Sequence, residues 1–368
     1  MITKEQIREY ITQMGFCSVG FTHPDPFDRL EKVLWERQEA GYLSGFEKGS
    51  LKERCCPKLH FDRVRSIIAA AYPYQLYENT NGTGLKGTIS SSAVGQDYHR
   101  LLKSKLERAA RFISERTEGF EYQIMVDTSP LVDREVAYRS GIGWYGRNCS
   151  IIVPSAGSAV FLGEMLTNLE LEPDRQLEGD CGECTACIDS CPTGALVKPY
   201  TLNAAKCISN ITQKRGVVPR ELRDKMGTSL YGCDRCLQSC PHNRTGSCGQ
   251  DITGIDLEEL IKMDSREFNK RYKHSAWGWR GLNIIKRNAV IALGNLGDSK
   301  GLSVLEKALV HPSAVIRGHA AWAVGRIGGG AAADILINSL AKEADGYVRE
   351  EIEAALEGLG IVYKEGNL

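Results

Sequence analysis

The sequence predicts a chain of three parts: an N-terminal α/β sandwich, a ferredoxin-like domain and a C-terminal array of HEAT-like helical repeats. Strand-like and helix-like patterns alternate over the first 170 residues, eight cysteines follow at ferredoxin spacing, and a thirteen-residue segment near the C-terminus recurs after thirty-one residues. A chain of 368 residues exceeds one hydrophobic core, so several domains are expected. We place them at residues 1–170, 171–250 and 251–368.

The elements of the first part are marked by their ends and by their apolar spacing. Thr3 precedes a helical pattern that stops at Gly15, and residues 17–21 are predicted to form a strand. A second helix is expected around Leu30, followed by a buried strand over residues 64–72. The glycine- and serine-rich stretch 79–95 is predicted to be a loop. This alternation favours a sheet that is mainly parallel or mixed.

The first part continues with a long amphipathic helix from about Asp97 and a strand over residues 122–126. Ser129 and Pro130 are suited to cap and open another helix. A glycine-rich turn covers residues 141–148, with strands expected at 151–153 and 159–165. Because ligands bind beyond the carboxyl ends of strands in such folds, we expect the 79–95 loop, residues 97–99 and residues 127–133 to face one pocket.

The middle part carries two cysteine runs with the spacing by which bacterial ferredoxins hold cubane clusters. Residues 181–192 read CGECTACIDSCP, and residues 233–241 read CDRCLQSCP, which lacks one cysteine of a full run. Cys207 lies between them as the replacement. The last cysteine of each run crosses to the other cluster in two-cluster ferredoxins. We therefore assign two sets of ligands: Cys181, Cys184, Cys187 and Cys240 to one cluster, and Cys191, Cys207, Cys233 and Cys236 to the other.

A structural zinc site is the alternative, because CxxC pairs serve tetrahedral zinc equally well. Zinc needs only four ligands and no Cys-Pro ending, so eight cysteines in this order favour clusters. Cys17, Cys55, Cys149 and Cys248 lie outside both runs and are predicted to be free thiols. The N-terminus resembles no signal peptide and no stretch reaches transmembrane length, so a soluble, cytoplasmic protein is expected.

The last part contains an internal repeat. Residues 285–297 align without gaps to residues 316–328, and residues 348–360 form a weaker third copy. A period of about thirty residues with small alanines predicts stacked helix pairs, as in a short HEAT-like solenoid. Solenoids bind large partners on an extended surface.

The formal charge of the chain is balanced, with 46 basic and 46 acidic residues, but one segment is strongly basic. Between Ile261 and Val290, eight basic residues and the rings of Tyr272, Trp277 and Trp279 stand against two acidic residues. Cations among aromatic rings favour RNA binding, and a solvated helix face with buried tryptophans is the alternative. The predicted RNA contacts are Lys214, Arg215, Arg220, Arg280, Lys286, Arg287, Asn295, Arg317 and Arg326.

Two clusters move single electrons, so the α/β part is expected to reduce something that it binds. It carries neither a Rossmann GxGxxG motif nor a Walker P-loop. The order of the parts resembles the epoxyqueuosine reductase family over essentially the whole chain. The most specific matches are the two cysteine runs and the segments QDYH (96–99), VDTSPLVDREVA (126–137) and GIGWYGRN (141–148).

This resemblance implies an oxidoreductase whose α/β domain binds cobalamin and whose two 4Fe–4S clusters recharge the cobalt. It implies reduction of epoxyqueuosine to queuosine at the wobble position of tRNA anticodons. The expected partners are tRNA and an external one-electron donor such as flavodoxin or ferredoxin, with no membrane. By family likeness Asp133 is the proton donor, with Asp127 as the alternative. The cofactor contacts expected by position are Cys56, Pro57, Asp97, Tyr98, His99, Asp133, Gly157, Ser158 and Ser209.

Two other functions remain open at this point. A corrinoid reductive dehalogenase would act on a small molecule, but it would not need the basic solenoid. A non-catalytic iron-sulfur electron carrier would bind a protein partner through the helical repeats, which leaves the α/β domain unexplained. Asp133 also has a structural explanation, because an acidic residue in the first turn of a helix is favoured by the helix dipole.

Overall fold

The computed structural model describes residues 2–77, 84–243, 245–246 and 254–361. The chain divides into two compact units, each assembled from separate segments. Unit 1 comprises Met1–Leu76, Gln96–Cys207 and Asp234–Ser247, and unit 2 comprises Tyr77–Gly95, Ile208–Cys233 and Cys248–Leu368. The segment between Cys207 and Cys233 therefore belongs with the C-terminal helices, and the division into three sequence domains remains a prediction.

The strands of the described residues are short apart from two that each span eight residues. In chain order they are β1 (Ser18–Thr22), β2 (Ser66–Pro73), β3 (Leu76–Tyr77), β4 (Lys86–Ile89), β5 (Tyr122–Met125), β6 (Trp144–Tyr145), β7 (Ile151–Ile152), β8 (Val160–Thr167), β9 (Leu196–Lys198), β10 (Thr201–Leu202), β11 (Ser229–Tyr231), β12 (Thr245–Gly246) and β13 (Gly254–Asp256).

The helices are longest in α4 and in the C-terminal half of the chain. In chain order they are α1 (Lys4–Gln13), α2 (Asp28–Glu39), α3 (Leu51–Cys55), α4 (Tyr98–Ser114), α5 (Asp133–Arg139), α6 (Ala186–Asp189), α7 (Ile208–Ile211), α8 (Arg220–Arg223), α9 (Arg235–Gln238), α10 (Leu257–Lys262), α11 (Ser265–Tyr272), α12 (Leu282–Leu296), α13 (Leu302–Ala308), α14 (Ala314–Ile327), α15 (Gly330–Leu340) and α16 (Gly346–Gly358).

The central sheet of unit 1 has the strand order β1-β2-β8-β5, and every neighbouring pair is antiparallel. The prediction of a mainly parallel or mixed sheet is therefore wrong for this sheet. Successive residues of β2 point to opposite faces, so Ile68 packs into one apolar cluster and Ile67 into the other. Helices cover both faces, which gives β2 the unbroken apolar sequence that is more typical of parallel strands.

The predicted helix starts were right where a side chain caps the helix. Thr3 forms a capping box with Gln6 at the start of α1, and the Asp97 side chain accepts the N–H of His99 at the start of α4. The helix expected at Pro130 instead begins at Asp133, after Val132, which makes no side-chain cap. Residues 127–132 therefore remain a loop beside the end of β5.

The stretch 79–95 was predicted to be a loop, and within its described part this prediction is wrong. Residues 79–83 lie outside the described residues, but β4 follows them. In unit 2, β4 pairs with β11 in parallel and with β13 in antiparallel orientation. The glycine and serine content of this segment concealed a strand whose partners are about 140 and 170 residues away in the sequence.

The C-terminal part of unit 2 confirms the predicted repeat. The three aligned segments fall on α12, α14 and α16, which stack on one another. An added Cβ on Gly294 would lie 2.9 Å from the Cβ of Ala323, and one on Gly325 would lie 2.7 Å from the Cβ of Ala355. The small residues of the repeat thus allow these helices to approach closely. No helix among the described residues has the length and apolarity needed to cross a membrane.

Candidate active site

A cavity of about 430 Å³ opens in unit 1 at the end of β5. Its lining includes Asp127, Asp133, Tyr98 and Ser158, together with Phe161 of β8. The 127–132 loop and the first turn of α5 supply most of one side. The structure thus brings residues 98, 127, 129–133 and 158 together around one space, as expected for ligand binding beyond a strand end. The described part of the 79–95 stretch, which was expected to face the same pocket, belongs to unit 2 and contributes no residue to the lining.

Asp133 is the first residue of α5, and its carboxyl group is held between two partners. Its Oδ2 accepts the backbone N–H of Asp127 over 2.9 Å. A second hydrogen bond joins it to the carboxyl group of Glu164 on β8. Burial, and then the nearby charge of Asp127, raises the pKa of Asp133 to about 7. A carboxylic acid that stays protonated near neutral pH is suited to donate a proton.

Asp127 lies in a different environment, although it lines the same cavity. Its side chain is 58% exposed, and the Tyr98 hydroxyl donates a hydrogen bond to it. His99 lies between two carboxylates, with Nε2 3.3 Å from Asp127 Oδ2 and Nδ1 2.7 Å from Asp97 Oδ1. Partial loss of solvent opposes both charges, but these hydrogen bonds lower the pKa of Asp127 and raise that of His99. The surroundings therefore favour the anionic form of Asp127 and the protonated form of Asp133.

The sequence analysis did not identify Glu164, which is only 1% exposed. It lies in the middle of β8, whose sequence is VFLGEMLT. A single carboxylate in an otherwise apolar, buried strand was a signal that could have found it, since buried carboxylates cluster at functional sites.

Four of the predicted cluster ligands line a second, small cavity of unit 1. They are Cys181, Cys184, Cys187 and Cys240, the set that takes its last cysteine from the other run. Arg147 also lines this cavity, and its Nη1 donates to the backbone oxygen of Cys184 over 3.2 Å. The four thiols therefore converge on one space, as holding one cluster requires.

For the second set, Cys191, Cys207 and Cys236 lie in unit 1 and Cys233 in unit 2. Burial opposes ionisation of Cys191, yet hydrogen bonds from the backbone of residues 193–196 and the Thr193 hydroxyl lower the pKa of its thiol. A stabilised thiolate suits a cluster ligand. The membership of this set remains a prediction.

Several predicted cofactor contacts lie away from the cavity lining. Pro57 is buried after α3, with Cys56 beside it, and neither lines the cavity. Asp97 and His99 act on the cavity indirectly, through Asp127. Gly157 has a φ of +69°, and the N–H of the adjacent Ser158 donates to Asn243 Oδ1 over 2.6 Å. Ser209 lies on α7 in unit 2.

The predicted RNA contacts of unit 2 separate into exposed and buried side chains. Lys214, Arg215, Arg220 and Arg326 are exposed, while Lys286, Arg287 and Asn295 are not. Arg220 pairs with Glu351, and Arg317 pairs with Glu343. The guanidinium of Arg280 stacks on Trp279, which is 58% exposed. Trp277 is 2% exposed and belongs to the core, so the expectation that it stacks on bases is wrong.

Arg287 and Asn295 are structural, because their donors are used inside the protein. Arg287 donates all five of its N–H groups, to Asn288 Oδ1 and to the backbone oxygens of residues 211, 214 and 216. The amide of Asn295 donates to the oxygens of Arg223 and Gly227. Their predicted contact with RNA is therefore corrected. Lys286 is 7% exposed, so its predicted contact with RNA is corrected as well.

Comparison with known proteins identifies the family. The family described as epoxyqueuosine reductase QueG, DUF1730, matches residues 54–128, a 4Fe-4S double cluster binding domain matches residues 180–243, and HEAT repeats match residues 283–357. The epoxyqueuosine reductase of Bacillus subtilis is 41% identical over 372 residues, covering 96% of this chain and 95% of that protein. This chain belongs to the epoxyqueuosine reductase family.

Other epoxyqueuosine reductases agree in sequence and in structure. The Escherichia coli protein is 33% identical, covering 87% of this chain and 88% of its own. A crystal structure of an epoxyqueuosine reductase with a tRNA-Tyr epoxyqueuosine-modified stem loop superposes with a TM-score of 0.91 at 40% identity, covering 97% of this chain and 98% of that one. The Bacillus subtilis enzyme with its catalytic aspartate loop swung out of the active site gives 0.90 at 39% identity, with the same coverage.

Membership of this family makes the chain an oxidoreductase. The double-cluster domain spans all eight cysteines of the two predicted sets, so two 4Fe–4S clusters are confirmed. Among the other cysteines, Cys17, Cys55 and Cys149 form no disulfide bond within the described residues, and Cys248 lies outside them.

Proposed function

We propose that this epoxyqueuosine reductase removes the epoxide oxygen of epoxyqueuosine as water, at the wobble position of a tRNA anticodon, and leaves queuosine. The reaction consumes two electrons and two protons. The observation that carries the proposal is the carboxyl of Asp133, whose pKa is raised to about 7 and which lines the cavity in a chain that also holds two clusters. A relative of this chain was solved with the modified tRNA stem loop, which supports the substrate.

Cobalamin is the proposed cofactor of the cavity. The rings of Tyr98 and Phe161 stack 4.2 Å apart along its lining, and Ser129 Oγ is buried there without a hydrogen-bond partner in the described structure. Aromatic faces beside an unsatisfied hydroxyl fit a flat corrin that carries amide side chains. Tyr98, Ser129, Ser158 and Phe161 are the residues that would hold it. When bound, cobalamin supplies low-valent cobalt as the reductant.

The proposed role of Asp133 is to protonate the epoxide oxygen as its C–O bond breaks. An opening epoxide leaves an alkoxide, which needs a nearby acid. Asp127 stays anionic through Tyr98 and His99, and its backbone N–H holds the Asp133 carboxyl in place. The catalytic aspartate loop of the Bacillus subtilis relative supports this assignment.

For the substrate surface we propose the exposed cations of unit 2. Lys214, Arg215 and Arg326 are exposed, and Arg280 with Trp279 offers a cation beside an accessible ring. Such pairs suit phosphates and unstacked bases. Because the proposed substrate is tRNA, we place the enzyme in the cytoplasm, with an external one-electron donor such as flavodoxin or ferredoxin.

Anaerobic turnover tests this proposal. The chain, reconstituted with its clusters and cobalamin, is given a reductant and tRNA that carries epoxyqueuosine, and the digested nucleoside is weighed by mass spectrometry. We expect loss of one oxygen atom, and no loss when cobalamin is omitted. An unchanged nucleoside alongside dehalogenation of a halogenated phenol would instead assign the chain a small-molecule substrate.

A further inference from the structure

Glu164 occupies an unusual position for a carboxyl group. It lies in the interior strand β8, opposite Ala69 on β2 and Met125 on β5, and both neighbours are apolar. The residue is 1% exposed. A carboxylate in such surroundings is costly unless it is paired with a cation or holds a proton.

The contacts of Glu164 indicate which of these solutions the protein uses. Its Oε1 is buried and has no hydrogen-bond partner among the described residues. The charges that act on Glu164 are those of Asp133 and Asp127, both acidic. In the part of the chain that the structure describes, positive groups act on its neighbours instead: Arg134 on Asp133 and Asp127, and His99 on Asp127. Burial and Asp133 raise the pKa of Glu164 well above its usual range, which favours its protonated form.

We propose that Glu164 is the positioning residue and proton reserve of Asp133, to which it is joined by a hydrogen bond between the two carboxyl groups. The inference rests on the proposed function and deepens it. It explains why an interior strand with apolar neighbours keeps a carboxyl group beside the proposed catalytic acid.

The reserve meets the proton demand of the reaction. Asp133 gives the first proton to the epoxide oxygen as the first C–O bond breaks. The proton of Glu164 then passes to the Asp133 carboxylate. Asp133 delivers it to the hydroxyl group as the second C–O bond breaks, so water leaves and the alkene remains. The two electrons come from the external one-electron donor through the clusters, and solvent returns both protons afterwards.

Infrared titration of the full chain with its clusters tests the pair without substrate or cobalamin. Wild type should show Asp133 losing its carboxylic acid band near pH 7. The hydrogen bond from Glu164 favours the ionised form of Asp133, and in Glu164→Gln a weaker amide donor replaces it, so this band should disappear at least about one pH unit higher. The control is Glu135→Gln, which removes another buried carboxyl, bonded to Tyr145 at 3.1 Å, and should leave the Asp133 titration in place.

Single-turnover reduction of modified tRNA supplies a second readout. The rate of Glu164→Gln should fall at least tenfold more at pH 8 than at pH 6 relative to wild type, because the second proton must then come from solvent, where protons are scarcer at pH 8. An unshifted Asp133 titration in a folded Glu164→Gln protein overturns the proposal. If that variant does not fold, Asp133→Asn must shift the Glu164 band instead, and an unshifted band has the same meaning. If the Asp133 titration shifts as expected but wild type does not reduce the modified tRNA, the proposed function is overturned and the interaction of Glu164 with Asp133 is still supported.

Discussion

At the residue scale, two aspartates six positions apart acquire opposite roles from their surroundings. Asp133 is half-buried beside Glu164, which favours its protonated form, whereas Asp127 accepts hydrogen bonds from Tyr98 and His99, which favour its charged form. The sequence segment VDTSPLVD identified both residues but not the difference between them. That difference depends on Glu164, thirty-one residues further along the chain, which no local pattern connects to them.

The raised pKa of Asp133 predicts a stability that falls as pH rises. The folded protein binds this proton more tightly than the unfolded chain, so the contribution is present below pH 3.8 and is lost as pH rises through about 7. Asp133→Asn removes the titration. We expect the free energy of unfolding of the variant, relative to that of wild type, to be higher at pH 8 than at pH 5 by on the order of 1 kcal/mol.

Urea unfolding at both pH values measures this gain. The exposed Asp62→Asn serves as the control and should show no difference between the two. An equal effect of Asp133→Asn at pH 5 and pH 8 would mean that Asp133 titrates in the folded protein as it does in the unfolded chain.

At the element scale, sequence patterns located most helices and strands of unit 1 but not their directions or partners. The apolar run of β2 predicted a buried strand, yet burial on both faces does not determine whether its neighbours are antiparallel. Pro130 suggested a helix start, but residues 127–131 form bends and the helix begins only at Asp133. The repeat of α12, α14 and α16 was predictable because stacking requires the same small residues at the same positions.

The close approach of these helices gives a test of the repeat. Gly325→Ala places a Cβ 2.7 Å from Ala355, so α14 and α16 must move apart, and we expect a loss of about 1–3 kcal/mol in free energy of unfolding. Gly358→Ala, where nothing lies within 4 Å of the new Cβ, should instead be neutral or stabilise α16 by up to about 1 kcal/mol. Denaturant unfolding distinguishes the two, and equal effects would refute tight stacking.

At the scale of the whole molecule, the order of the parts could be predicted from spacing, whereas the surface of unit 2 could not. The basic residues between Ile261 and Val290, with Arg317 and Arg326 one repeat later, suggested a basic face, but burial and internal hydrogen bonds remove Arg287 from it. Residue type shows the charge of a side chain but not its exposure. A buried arginine that bonds to the backbone of other segments therefore cannot be distinguished by sequence from an arginine that binds phosphate.

The remaining exposed cations predict a salt-dependent interaction with tRNA. Reversing Lys214 and Arg215 to glutamate should weaken binding of the modified stem loop by at least tenfold at low salt and flatten the salt dependence of the affinity. Lys342→Glu changes the charge of another exposed lysine of unit 2 and should have a smaller effect. Filter binding across a salt series measures both, and equal losses would indicate a general charge effect.

The most direct test of the account is single-turnover reduction by wild type and Asp133→Asn. Both proteins carry two clusters and cobalamin, both are reduced anaerobically, and the nucleoside of the tRNA stem loop is weighed over time. We expect wild type to remove one oxygen and Asp133→Asn to do so at least about a hundredfold more slowly, with stem-loop affinity and iron content unchanged. A variant that reduces epoxyqueuosine at the wild-type rate would contradict the assignment of Asp133 as the acid of the reaction.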